Sequence, residues 1–324
     1  AKFEEDKRSV IMRLNLLGWT QEEISKKLQA MWPDAKGTSQ KHLTDDLLEM
    51  EKSAFRVKPD LEKGHAPAEL AKRYALPEIL VWTIALEGLT DAERLEKLGI
   101  KTQPYDVWNF AKCHELFGCK HPGRIPGELV AHVLYFFTEP GALVVDPMVG
   151  SGTTIDVCLA MGRKCYGYDI DSRHERPDIM VHDLAVDGPP DRFKKADLIF
   201  WDPPYFSKMD AENKEDGYIE GSVSGWPRDE YLAFFKKSLA AIHAVAKKGA
   251  KLAFLMSDWD DNTGEQEGIF IGDYWNIIIQ AGWKPIRHIQ APLPTQQVHP
   301  DIVNKFRKSR RLARLERYLV LAKK

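Results

Sequence analysis

The chain has 324 residues, 44% of them hydrophobic, and a formal net charge of −2 at neutral pH. That is enough apolar material for one full-size α/β domain and a smaller companion. No apolar run approaches the roughly 20 residues of a membrane span, Ala1–Arg8 lack the apolar core of a secretory signal, and four cysteines do not make a disulfide framework in a chain of this length. A reducing cytoplasm is therefore the expected setting, and any footprint for a polyanion has to be a local patch.

The first third reads as short helices. Thr20 and Glu23 form a capping box that opens a helix from Gln21 to about Ala30, after a helix ending near Gly18. Pro33 and Gly37 break the pattern, and a third helix from Ser39 to about Lys52 presents Gln40, Lys41 and His42 in its first turn. Three such helices resemble a helix-turn-helix domain, whose last helix enters the major groove. Pro67 suits the first turn of a further helix through Arg73, and Tyr74-Ala75-Leu76 turns into a helix opening at Pro77. The stretch Pro67–Tyr74 resembles the helix-turn-helix of ParB-type DNA-binding proteins. Residues 1–109 are accordingly expected to be a helical, DNA-binding region, and residues 110–324 a catalytic domain.

From Ala142 the pattern changes to apolar strands alternating with amphipathic helices, the signature of a doubly wound α/β fold. Strands are predicted at Ala142–Asp146, Lys164–Asp169, Asp178–His182, Asp197–Trp201, Lys251–Met256, Pro285–Gln290 and Arg317–Ala322. Ser207–Gly225 reads as a polar, acidic loop. Cys113, His114, Cys119 and His121 fall in a short span, but their spacing matches no common zinc module and no metal is expected.

Asp146-Pro147-Met148-Val149-Gly150-Ser151-Gly152-Thr153-Thr154 follows a strand and opens a helix. Gly150 and Gly152 let the backbone turn tightly and approach a ligand, and the helix N-terminus beyond suits a carboxylate. Neither the dinucleotide fingerprint nor a P-loop is present. The block resembles motif I, Asp-Pro-Phe-x-Gly-Ser-Gly-Thr-Thr, of the DNA amino-methyltransferases, the N6-adenine/N4-cytosine family, with Met148 in place of Phe. That resemblance implies a Rossmann-like class I methyltransferase fold with a seven-stranded, mostly parallel sheet. It also implies S-adenosylmethionine as cofactor, its methionine part held by Asp146, Pro147, Gly150, Ser151, Gly152, Thr153 and Thr154. Asp169 ends the second strand, where a carboxylate can bond both hydroxyls of a ribose; Asp171 takes that role if the strand runs longer. Asp183 resembles the position that reads the cofactor's adenine amino group, or is a helix cap. Upstream, His121-Pro122-Gly123-Arg124-Ile125-Pro126-Gly127-Glu128-Leu129 resembles the His-Pro-x-x-x-Pro-x-Glu-Leu segment that precedes motif I, which adds His121 and Pro126 to the cofactor site. Arg124-Ile125 depart there from the common Gln-Lys.

Asp202-Pro203-Pro204-Tyr205 closes the fourth strand and resembles motif IV, Asp-Pro-Pro-Tyr. An exocyclic base amine is a poor nucleophile because its lone pair is delocalised into the ring. A site that accepts both amine protons, one on Asp202 and one on the carbonyl of Pro203, steers that lone pair towards the methyl group, and two prolines preorganise the acceptors. Tyr205 offers a face for an extruded base. The order of the blocks leaves DNA binding to the N-terminal helices, the Ser207–Gly225 loop and Pro292–Arg311, with Gln40, Lys41, Lys305, Arg307, Lys308, Arg310 and Arg311 as candidate phosphate contacts.

The reading is thus a DNA methyltransferase of a prokaryotic or phage cytoplasm, associated with the nucleoid. Asp202 points to N6 of adenine, since N4-cytosine members more often carry Ser there, and N4-cytosine is the alternative. An RNA amino-methyltransferase and an inactive ParB-like regulator are further alternatives; intact Gly150, Gly152, Asp169, Asp202 and Tyr205 argue against the last. A cognate restriction endonuclease is left open as a partner.

Overall fold

The computed structural model describes residues 7–33, 56–110, 112–119, 124–171, 176–206, 222–258, 271–293, 300–310, 312 and 315–324. The predicted helix at 39–52 and most of the 207–225 loop lie outside the described residues. Seven strands, β1 (Leu143–Asp146), β2 (Lys164–Asp169), β3 (Ile179–Val181), β4 (Leu198–Trp201), β5 (Lys251–Ser257), β6 (Lys284–Gln290) and β7 (Arg317–Lys323), form one sheet in the order β3-β2-β1-β4-β5-β7-β6. β1 to β5 pair in parallel, while β7 is antiparallel to both β5 and β6. This is the Rossmann-like methyltransferase sheet, in which an antiparallel strand is slotted between the fifth and the edge strand.

The sequence explains the strands. Leu198–Trp201 is buried at every position and Lys251–Ser257 at all but the first, as continuous apolar runs must be when helices cover both faces of a parallel sheet. β6 is the edge and is mostly exposed; Pro285 and an irregular register between Pro285 and Arg287 blunt it against further pairing. Among the described residues, no helix is long and apolar enough to cross a membrane.

The N-terminal helices belong to the same core. α1 (Lys7–Leu16) and α2 (Gln21–Met31) form a corner over β2, and the Thr20–Glu23 capping box is present. β3 pairs with β2 only from Gly167 onward, and the corner occupies the space beside the earlier residues. The Cys165 N–H donates to the carbonyl of Leu17 at 3.0 Å, and the Trp19 ring N–H donates to the Cys165 carbonyl at 3.3 Å. Trp19 stacks on Tyr166 with ring centroids 5.5 Å apart, and the Arg192 guanidinium lies 4.4 Å from the centre of the same tyrosine ring.

α3, helical over residues 56–62, leads to α4 (Pro67–Tyr74), α5 (Glu78–Ala85) and α6 (Asp91–Lys97). The predicted helix pair is therefore formed, with Ala75 turning it in the left-handed region at φ 52°. α5 buries Ile79, Leu80, Val81 and Ile84 and packs against α8 (Thr153–Ala160), while Glu78 is exposed and Trp82, Thr83 and Ala85 are partly exposed.

Arg163 fastens α6 to the sheet. Its fully buried guanidinium donates to Asp91 Oδ2 at 2.7 Å, to Thr138 O at 2.9 Å and to Thr138 Oγ1 at 3.1 Å. Arg163→Met strands the Asp91 carboxylate and is expected to cost about 3 kcal/mol in urea unfolding; a loss under about 1 kcal/mol would show that the staple is dispensable.

Candidate active site

β1 ends at Asp146 and the chain turns through Pro147–Gly152 into α8. Gly150 has φ 50° and Gly152, the N-cap of α8, has φ 81°, a region that side chains with a Cβ rarely adopt. The turn is tied to the next strand: the Gly150 N–H donates to Asp169 Oδ2 at 2.8 Å and the Asp171 N–H to Oδ1 at 2.9 Å. β2 ends at Asp169 itself, and both Asp169 and Asp171 line the adjoining cleft. Asp183 caps α9 (Leu184–Asp187), accepting from the Ala185 N–H at 2.9 Å.

These pieces enclose a cleft of about 990 Å³, partly open to solvent, at the carboxyl ends of β1, β2 and β4. That is where open α/β sheets bind ligands, beside the point at which strand order reverses. Asp146, Pro147, Gly150, Ser151, Thr153, Thr154, Asp169 and Asp183 all line it, together with Asp202 and Pro204. Gly152 stands behind the turn, and Pro126 is the N-cap of α7 (Gly127–Phe137). Pro203 and Tyr205 lie just outside the cleft wall. His121, Gln40, Lys41 and Arg311 lie outside the described residues, as does the side chain of Lys305. Arg307, Lys308 and Arg310 are exposed in and just after α12 (Pro300–Ser309).

The lining has a marked charge character. Among the described residues, five carboxyl groups, Asp146, Asp169, Asp171, Asp183 and Asp202, face one guanidinium, that of Arg124. Arg124 Nε is buried with no hydrogen-bond partner among the described residues; the sequence marked this position only as a departure from the family pattern. Burial pushes Asp146 up to about 7, opposed by the Thr154 side chain and the Met148 N–H and reinforced by the negative charges of Asp202 and Asp169. Burial likewise raises Asp202 to about 6, against the field of Arg317 and the hydrogen bond from Tyr205. A cleft that strains to ionise its own carboxyls favours a cation.

Asp202 is held from two sides. The Tyr205 hydroxyl donates to Asp202 Oδ1 at 2.9 Å. Behind it, the buried Tyr231 of α10 (Arg228–Val245) donates to the Pro204 carbonyl at 3.0 Å and lies 2.8 Å from the hydroxyl of Tyr274 in α11 (Ile271–Gln280). Among the described residues nothing donates to the Pro203 carbonyl, so it stays available as an acceptor. No sequence pattern marks Tyr231 or Tyr274, because both look like ordinary core aromatics of amphipathic helices. In the described part of the 113–121 span, Cys113 donates to the Arg124 carbonyl, His114 accepts from the Leu116 N–H and Cys119 donates to the Ser151 carbonyl.

A family model described as DNA methylase, of the N6/N4 methylases, matches residues 3–180, more than half of the chain. The chain belongs to this family. The family is that of the N6-adenine/N4-cytosine DNA methylases, with S-adenosylmethionine as cofactor. The match takes in the Gly-rich turn and ends before Asp202. The chain is also similar to the DNA adenine methyltransferase YhdJ of Escherichia coli, 33% identical over 84 residues that are 25% of this chain and 29% of that protein. To the type II methyltransferase M.BglII of Bacillus subtilis it is 35% identical over 91 residues, 27% of this chain and 24% of that one. The chain thus spans only 24–29% of the length of these curated relatives. Among solved structures, a TehB-like SAM-dependent methyltransferase from Corynebacterium glutamicum overlaps 63% of this chain and 90% of its own at 16% identity, with a TM-score of 0.37, too low to carry an argument.

Two outcomes follow from the geometry. Tyr231→Phe frees the Pro204 carbonyl and is expected to lower kcat roughly tenfold with the dissociation constant of S-adenosylmethionine unchanged; equal loss in both would place Tyr231 in the general scaffold. Asp146 and Asp202 ionise as pH rises through about 7 and about 6, and a cation binds better to the ionised cleft. Calorimetry should show affinity for S-adenosylmethionine weakening roughly tenfold from pH 8 to 5.5, and less for S-adenosylhomocysteine, which lacks the sulfonium charge. Equal pH dependence for the two would refute the electrostatic reading.

Proposed function

We propose that this chain transfers the methyl group of S-adenosylmethionine to the exocyclic amino nitrogen of a DNA base, N6 of adenine in preference to N4 of cytosine. The observation that carries the reading is the position of Asp202, in the wall of the same cleft that the Gly150 turn and Asp169 build. The residues present fit the cofactor: an acidic lining suits an ammonium and a sulfonium, and Arg124 supplies a counter-charge for one carboxylate. When bound, the cofactor supplies an electrophilic methyl carbon. Asp146 to Thr154 would hold its methionine part, Asp169 its ribose hydroxyls and Asp183 its adenine amino group, with His121 and Pro126 closing over it.

Asp202, ionised above about 6, accepts one proton of the target amine by hydrogen bonding and the Pro203 carbonyl accepts the other. Together they turn the nitrogen lone pair towards the methyl carbon. Asp202 would then take the proton that the methylated, cationic amine sheds. The ring of Tyr205 stacks on the base, worth about 1–3 kcal/mol, which requires the base to leave a duplex.

Duplex contact falls to the β6–β7 connection. Because β6 runs parallel to β5, this connection leaves the sheet at the edge that carries the cleft, and α12 within it exposes Arg307 and Lys308, with Arg310 just beyond. Among the described residues none of the three has a carboxylate partner, which leaves them available to phosphates. The type II names of relatives such as M.BglII support a place beside a cognate restriction endonuclease.

Asp202→Ala is expected to abolish methyl transfer while cofactor affinity stays within a few-fold; loss of cofactor binding would place Asp202 in the wrong role. Replacing Arg307, Lys308 and Arg310 together by Ala should weaken all duplexes alike and cut the slope of log affinity against log salt by roughly 2 to 3. An unchanged slope would move the phosphate contacts elsewhere.

A further inference from the structure

Behind the Gly-rich turn sits a group of four buried charges that the proposed chemistry does not use. Arg13 of α1 donates from Nη1 to Asp156 Oδ1 at 3.2 Å and to Asp178 Oδ2 at 3.1 Å. Arg176 bridges the same two carboxylates, to Asp156 at 2.7 and 2.9 Å and to Asp178 at 2.7 and 2.9 Å. All four residues are less than 5% exposed. Among the described residues two arginines face two aspartates, and removing one member leaves the others with fewer counter-charges.

This group touches the turn directly. Arg176 Nη1 donates to the carbonyl of Ser151 at 3.2 Å. Its guanidinium lies flat against Gly152, where a Cβ would stand 2.4 Å from Arg176 Cζ. Asp156 Oδ2 also accepts from the Gly118 N–H at 2.7 Å, and the Cys119 N–H donates to the same Ser151 carbonyl at 3.0 Å. The turn, the strip at 112–119 that packs on it and the helix that follows it are thus fixed against one charge cluster.

We propose that Arg13, from the N-terminal helix, is a positioning residue for the methyl donor: with Arg176 it sets the shape of the Gly150–Thr153 turn through Asp156 and Asp178. This rests on the reading that the turn holds S-adenosylmethionine. It assigns α1 to the cofactor site and not to DNA. Arg13→Met removes one of the two described cations that hold Asp156 and Asp178, and the strain falls on the turn.

The experiment compares wild type, Arg13→Met and Arg13→Lys. In Arg13→Met the KM for S-adenosylmethionine should rise roughly tenfold, the worth of one charge-assisted hydrogen bond, with kcat at saturating donor and DNA affinity nearly unchanged. Arg13→Lys, which keeps the charge, should recover most of the loss. A folded Arg13→Met with the wild-type KM overturns the proposal, and so does a variant that loses kcat and DNA affinity together. Should Arg13→Met not fold, Arg176→Lys, which keeps the charge and loses the fork, must show the same split; a wild-type KM there also overturns it. Hydrogen exchange across residues 150–156 needs no donor and should be faster in Arg13→Met; equal exchange refutes control of the turn. Absence of S-adenosylmethionine binding by the wild type would instead sink the cofactor assignment, leaving the exchange result to decide the role of Arg13.

Discussion

The structure turns on the buried charge cluster of Arg13, Arg176, Asp156 and Asp178. Taking four charges out of water is expensive, and only near-complete mutual hydrogen bonding offsets it. The elements that carry these residues therefore have little freedom to move separately. α1 supplies one, the first turn of α8 another, and the approach to β3 the remaining two. The arginine fields hold the Asp178 carboxyl low despite its burial, so Asp178 keeps its charge across the working pH range. The Gly-rich turn is laid on top of it, and Gly152 is glycine both for its φ and because a guanidinium fills the place of a side chain.

Above the turn the electrostatics reverse in purpose. The cleft gathers carboxyls at the ends of three strands, which suits a cationic cofactor and would repel a nucleic acid. The protein separates the two demands by depth: acid groups line the cleft, and exposed cations sit on the β6–β7 connection at the same edge. An extruded base carries no charge of its own, so it can enter an acidic cleft while its phosphates stay on the rim. The raised carboxyl of Asp202 belongs to the same logic, since a group held near neutrality can accept a proton without being a strong base.

Much of this was legible in the sequence, for identifiable reasons. Parallel strands buried on both faces leave continuous apolar runs, and all seven strands were placed within one or two residues. Glycines that need positive φ, and an acid at the end of each strand, mark the cleft because both are local in sequence. The buried cluster was not legible: Arg13 lies 143 residues from Asp156 and 165 from Asp178, and an arginine in an amphipathic helix looks like a solvated one. Tyr231 was missed for the same reason. The spacing of the α4–α5 pair was legible, but it does not say how much of α5 the core covers: Ile79, Leu80, Val81 and Ile84 are buried.

The central claim is that the cleft brings a methyl donor and a base amine together at Asp202. The most direct test is single-molecule sequencing, with nucleoside mass spectrometry, of DNA from a methylation-deficient host that expresses this chain. The account predicts N6-methyladenine at a recurring sequence. Unmodified DNA, from cells in which the protein is soluble and binds S-adenosylmethionine, would contradict it and point to an RNA amine as the acceptor.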